Sequence, residues 1–167
     1  EETIEDGKII IRYEPGDLVV CNLASINVAT VFEPAVIADV FPVVMRVLDN
    51  VVTLNYYPIK EAERTSKRYR SVGLGYLGLA EYLATHKLAY DSKEARTEVD
   101  RLFERYTYHT YRASIDLARE RGTYELYPRS EYSKGVLLGR KSEWFEKNTP
   151  FASEWKTLFA DMQTVGV

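Results

Sequence analysis

The strongest constraint on the fold lies between residues 91 and 122, where an apolar stripe runs at helical spacing through Val99, Leu102, Phe103, Tyr106, Ala113 and Leu117. Asp91 with Glu94 three residues on fits a capping box. Arg119 and Arg121 suit a carboxyl-terminal turn, and Gly122 follows as a stop. A helix this long must be covered along one side, so the rest of the chain has to supply its cover.

The first third is strand-like. Lys8-Ile9-Ile10-Ile11-Arg12-Tyr13 is β-branched and follows Asp6-Gly7, and Pro15-Gly16-Asp17 marks a turn before Leu18-Val19-Val20-Cys21. Two strands joined by that turn are expected. Val40, Val44, Val47, Leu48, Val51 and Leu54 then fall on one helical stripe, in which Pro42 either kinks the helix or begins it. Tyr56-Tyr57-Pro58 ends this helix, because the residue before a proline is pushed out of the helical region. Residues 60–70 are expected as a polar, charged loop, 71–78 as a short strand and turn, and 79–86 as a helix. Residues 124–149 are expected to be irregular and aromatic-rich. A last amphipathic helix over 152–165 turns Trp155, Leu158, Phe159 and Met162 inward. The class is α/β, helix-rich with a few strands.

With 167 residues, 46% of them apolar, the chain can bury one core and is read as a single domain. Lysine and arginine total 22 against 25 acidic residues, a net charge of −3, which argues against a nucleic-acid surface. One cysteine excludes an internal disulfide, and with only His86 and His109 beside it no zinc cluster is expected. No apolar run approaches the roughly 18 residues that span a bilayer. Glu1-Glu2-Thr3-Ile4-Glu5-Asp6 is unlike a signal sequence, so a cytoplasmic location is expected. The start is abrupt, as in a piece of something longer.

Few motifs suggest chemistry by themselves. Gly73-Leu74-Gly75-Tyr76-Leu77-Gly78 spells a dinucleotide fingerprint, but Lys67-Arg68-Tyr69-Arg70-Ser71 before it is cationic where such a site needs a buried apolar strand. Glycines that let a helix and a strand approach closely are the preferred reading over a cofactor loop. Of the 13 tyrosines, Tyr106, Tyr108 and Tyr111 cluster on the long helix, where packing is preferred over redox chemistry. Cys21 closes an apolar run and precedes small polar residues. Residue chemistry alone leaves it between a buried inert thiol, the preferred reading, and a functional one at a strand end.

Three blocks taken together change that balance. Val20-Cys21-Asn22-Leu23-Ala24-Ser25-Ile26-Asn27, Leu48-Asp49-Asn50-Val51-Val52-Thr53-Leu54-Asn55-Tyr56-Tyr57-Pro58-Ile59 and Arg70-Ser71-Val72-Gly73-Leu74-Gly75-Tyr76-Leu77-Gly78-Leu79-Ala80 resemble consecutive blocks of the catalytic large subunit of ribonucleotide reductase. Ala118-Arg119-Glu120-Arg121-Gly122 and Ser133-Lys134-Gly135 continue the resemblance in order. It extends from about Leu18 to the end of the chain, and the Tyr56-Tyr57-Pro58 block is closer to the class I enzymes.

The resemblance implies a segment of a ten-stranded α/β barrel, with residues 1–167 as a single partial domain. In that family a cysteine thiyl radical removes the ribose 3′ hydrogen of a ribonucleoside diphosphate, and two further cysteines deliver reducing electrons and become a disulfide. Cys21 matches one of this reducing pair. The N-x-C-x-E block of the radical cysteine is absent from this chain, and Glu1 stands about where its glutamate would be. No cofactor or metal is expected on this segment. The complete enzyme implies nucleotide effectors, a small subunit with a metal and radical cofactor, and a thioredoxin-like reductant. Its partners would be the remainder of the large subunit, the small subunit and the substrate, in an oligomer, with neither nucleic acid nor membrane. Two other readings stay open, a fragment of a class II adenosylcobalamin-dependent reductase and a non-catalytic, partner-binding remnant.

Overall fold

The structure is a computed structural model that describes residues 2–11, 13–31 and 34–167. Glu1, the glutamate considered above, and Arg12, within the first expected strand, lie outside the described residues.

Strands β1 (Glu2–Glu5) and β2 (Lys8–Ile11) form an antiparallel hairpin. Its two-residue turn is Asp6-Gly7, both at positive φ (51° and 71°), the conformation that matches strand twist in a tight hairpin. Asp6-Gly7 therefore joins two strands. The expected second strand at Leu18–Cys21 is not formed: residues 13–21 are irregular, and β3 is Asn22–Asn27. The apolar run 18–20 misled because its residues stay exposed, whereas the more polar Asn22–Asn27 has β4 to pair with.

After β3 come a single turn of helix, α1 (Val28–Val31), and then α2 (Pro34–Leu54), which contains Pro42. Pro42 is therefore internal to the helix and does not begin it. The buried stripe of α2 is Ile37, Phe41, Met45, Leu48 and Val52, which shares Leu48 with the expected stripe and has the expected Val40 and Val44 half-buried against it. Val47, Val51 and Leu54 are exposed. Valine is so abundant in α2 that two faces look apolar, and the larger Phe41 and Met45 occupy the core.

The expected loop at 60–70 is a helix, α3 (Lys60–Tyr69), followed by Arg70 in the left-handed conformation at φ 49°. Its buried residues are Ala62, Thr65 and Ser66. Hydroxyls and a methyl on the inward face leave no apolar period to detect. Strand β4 (Val72–Leu77) then pairs in parallel with β3, Asn22 opposite Val72 through Asn27 opposite Leu77. These two strands form one sheet and the hairpin another; among the described residues there is no closed barrel.

Helix α4 (Leu79–Thr85) leads to α5 (Lys93–Arg121), whose amino end is capped by Ser92, its Oγ accepting from the Ala95 N–H at 3.0 Å. The cap is Ser92, one residue after the expected Asp91, and Gly122 ends the helix as expected. Two 3-10 turns, Tyr127–Arg129 and Tyr132–Lys134, lie in the region expected to be irregular, which also contains a short helix, α6 (Ser142–Asn148). Helix α7 (Ala152–Thr164) buries Trp155, Leu158, Phe159 and Met162, as its spacing requires.

The long helix α5 is the spine, contributing to three apolar clusters in turn. Near its start Ala95 and Leu102 pack with Val28, Tyr82 and Leu83. In its middle Tyr106 and Ala113 join Ile26, Ile37, Phe41, Met45 and Leu48. Near its end Ile115 meets Leu137, Phe145, Trp155, Leu158, Phe159 and Met162. Arginines on α5 and at the end of α3 lock these layers. Arg121 Nη1 donates to Asp49 Oδ2 at 2.6 Å, Arg70 Nε donates to the other oxygen of Asp49 at 2.7 Å, and Arg112 pairs with Asp161 of α7. No helix among the described residues is long and apolar enough to cross a membrane.

Candidate active site

The β3–β4 ribbon has two unlike faces, as alternation along a strand requires. Ala24, Ile26, Val72 and Leu74 turn toward α2 and α5. Tyr106 of α5 reaches the backbone, its hydroxyl donating toward the carbonyls of Leu74 (3.0 Å) and Gly75 (2.7 Å). Burial pushes the pKa of this phenol up to about 12, so it stays a donor throughout the physiological range.

The other face carries Leu23, Ser25, Gly73, Gly75 and Leu77, with Cys21 two residues before Leu23 on the same side. No described element covers it, and Leu23 is 78% exposed. The glycines are what make this face flat. A Cβ on Gly73 would come within 2.5 Å of Leu23 Cδ2 and 3.6 Å of Cys21 Sγ, and one on Gly75 within 3.2 Å of Ser25 Oγ. At Gly78 the backbone has φ +80° and a Cβ would fall 2.1 Å from Asn27 Oδ1. At Gly73 and Gly75 the room is taken by side chains along β3 and not by an approaching helix, which differs from the helix-on-strand approach expected from the sequence.

Cys21 is exposed, not a buried packing residue, and precedes its strand at the amino end rather than closing one. Its Sγ makes one weak hydrogen bond, donating to the Asn22 carbonyl at 3.6 Å. The thiol lies in van der Waals reach of the space left by Gly73, so it borders the flat face. Before it, residues 15–18 run along α3, with Leu18 N–H donating to Thr65 Oγ1 at 3.1 Å. Sequence reasoning missed Thr65 and its neighbours because it missed α3. The available signal was electrostatic: Glu61 and Glu63 in the first turn, with Lys67 and Arg68 in the last, match a helix dipole.

A cavity of about 1010 Å³ lies on the helical side, bordered by Met45, Asp49, Arg70, Tyr111 and Arg121, and Cys21 does not line it. Tyr106, Tyr108 and Tyr111 are packing residues: Tyr108 stands edge-on to Trp155 at 5.5 Å and Tyr111 lies 5.8 Å from Tyr132. Among the described residues no three histidine, cysteine or acidic side chains gather as a metal site.

Residues 8–167 match the family model described as the ribonucleotide reductase barrel domain. The chain is 38% identical, over 88% of its length, to a ribonucleoside-diphosphate reductase subunit alpha of Synechocystis. It is 42% identical over 73% of its length to the subunit alpha of Helicobacter pylori, and 33% identical over 95% to the large subunit of Danio rerio. It spans 16% to 20% of the length of these relatives. A family match from the hairpin to the last residue, over a sheet whose glycine-flattened face carries a lone exposed thiol, places the chain in the ribonucleotide reductase barrel-domain family.

Proposed function

We propose that the chain is part of the large subunit of a ribonucleoside-diphosphate reductase and that Cys21 is one of its two reducing thiols. Residues 1–167 then act as a partial domain, one stretch of the wall of a ten-stranded barrel. The observation that carries this reading is the exposed Cys21 thiol beside the uncovered, glycine-flattened face of β3 and β4. A barrel interior has to admit substrate against such a face, while the α2 and α5 side is packed.

The reducing step balances as follows. Two thiols give up two electrons and two protons and become a disulfide, while the ribonucleotide loses its 2′ oxygen as water and becomes the deoxyribonucleotide. The chain holds one cysteine, so the second reducing thiol and the radical-bearing thiol come from outside these residues. A thioredoxin-like dithiol then returns the pair to its reduced form. The radical-generating small subunit with its metal cofactor, the nucleotide effectors and a cytoplasmic location belong to the same proposal.

The test is Cys21→Ser in the assembled enzyme. Substrate binding and radical formation are expected to remain, because neither consumes these electrons, and multiple turnover is expected to vanish. Peptide mapping of enzyme oxidised by turnover should find Cys21 in a disulfide. A Cys21→Ser enzyme that still cycles overturns the assignment.

A further inference from the structure

Cys21 stands between two fixed points. On its carboxyl side Asn22 pairs with Val72 in the parallel sheet. On its amino side Leu18 is bonded through its N–H to Thr65 Oγ1 at 3.1 Å. Only Val19, Val20 and Cys21 lie between the two anchors. Apolar burial does not hold this stretch, since Leu18, Val19 and Val20 are all exposed.

Hydrogen bonds from α3 hold it instead. Thr65 is 1% exposed, and its hydroxyl is used twice, accepting from Leu18 and donating to Asp17 Oδ1 at 3.3 Å. One turn further on, on the same side of the helix, the Tyr69 hydroxyl donates to Asp17 Oδ2 at 2.8 Å. That bond raises the tyrosine's pKa and so keeps its proton in place. Arg64 Nη2 donates to the carbonyls of Pro15 (2.8 Å) and Gly16 (3.1 Å). Four consecutive residues, 15–18, are therefore each bonded to one helix. A single bond would tether a loop; bonds at four successive residues also orient it.

We propose that Arg64, Thr65 and Tyr69 are positioning residues for Cys21, acting through Asp17 and the backbone of residues 15–18 to set where the thiol sits on the flat face. The inference rests on Cys21 being a reducing thiol. Such a thiol must meet both the substrate and a partner sulfur, and a disulfide forms only within a narrow range of Cα separation and direction. Small displacements of a reacting group have large kinetic effects. Helix α3 would thus hold the amino side of Cys21 as β4 holds its carboxyl side.

Two measurements test this. Because Cys21 is the sole cysteine of the chain, a nitroxide label attaches there alone, and its electron paramagnetic resonance line shape reports local ordering. Thr65→Val is expected to narrow the line shape, Tyr69→Phe to narrow it less, and Thr65→Ser to restore it. In the assembled enzyme Thr65→Val should lower kcat by about tenfold or more while leaving KM for the ribonucleoside diphosphate nearly unchanged, with Thr65→Ser recovering kcat. Tyr69→Phe, at a partly exposed position, gives the same reading if Thr65→Val fails to fold. Unchanged label motion in both variants overturns the inference. So does a freed label with undiminished kcat in an enzyme that Cys21→Ser inactivates, a result that leaves the role of Cys21 standing. An enzyme that still cycles as Cys21→Ser removes that role and this inference together.

Discussion

The two faces of the β3–β4 ribbon are built from the same twelve residues and obey opposite rules. On the covered face Ile26 is 4% exposed and packs on Ile37 and Phe41, each fully buried. On the other, glycines and the exposed Leu23 present a surface that no described residue fills. The difference teaches that one sheet can be held from one side alone. The covered side keeps the strands in place, and the uncovered side leaves its glycines and the neighbouring Cys21 thiol open.

The largest effect that could break this comparison is loss of a covered aromatic. Phe41→Ala should destabilise the chain by about 3–5 kcal/mol in a denaturant titration, from lost transfer energy and the cavity left behind. Leu23→Ala, the same kind of truncation on the opposite face, should change stability by no more than about 0.5 kcal/mol. Comparable losses at the two positions would mean that the face of Leu23 is not open in solution.

Gly78→Ala tests the turn that ends β4. A side chain in the left-handed region costs about 1–2 kcal/mol, and the added Cβ would also displace the Asn27 amide. That amide accepts from the Ala29 N–H at 3.0 Å, so amide exchange should speed up at Ala29 in α1, with a lower Tm in a thermal melt.

Tyr106→Phe removes the hydroxyl that reaches the β4 carbonyls from the covered side. About 1 kcal/mol of stability should be lost, with faster amide exchange in β4.

The smallest expected effect is a pH dependence on the covered side. His109 lies 5.8 Å from Phe41, and burial, aided by the charge of Arg105, lowers its pKa below the ordinary 6.5. The unfolded chain then takes up the proton first as pH falls. Stability that is full above about pH 6.5 should decline as pH drops through the folded pKa. His109→Gln should flatten that part of the profile, and an unchanged slope would show that the ring is not held neutral by the fold.

Much of the covered side was legible in the sequence, because large apolar residues at helical spacing announce themselves. Helix α5 with its Gly122 stop and the inward set Trp155, Leu158, Phe159 and Met162 of α7 are of this kind. What escaped has a physical reason in each case. Helix α3 buries hydroxyls rather than hydrocarbon, so periodicity was silent. In α2, valines on two faces hid which stripe was inward, and the choice fell to Phe41 and Met45. Strand β3 owes its extended form to β4, a partner fifty positions later, and local propensity favoured Leu18-Val19-Val20 instead. The block around Cys21 can be recognised as a pattern, but its attachment through residues 15–18 to Thr65 depends on helix α3, whose polar sequence reads as a loop.

The register of the parallel pair also bears on how the chain reaches its native form. Asn22 cannot meet Val72 until the intervening chain has been made and gathered in, whereas the turns of α2 and α5 close over a few residues. Ordering a loop of that length is an entropic barrier to be crossed before any ladder bond is gained. Helices that form early and dock through Phe41 and Tyr106 shorten that search, since they leave β4 only to be laid beside β3. During synthesis β3 emerges first and waits, its edge unsatisfied, and the Cys21 thiol gains its fixed environment only once Thr65, Val72 and Gly73 have followed.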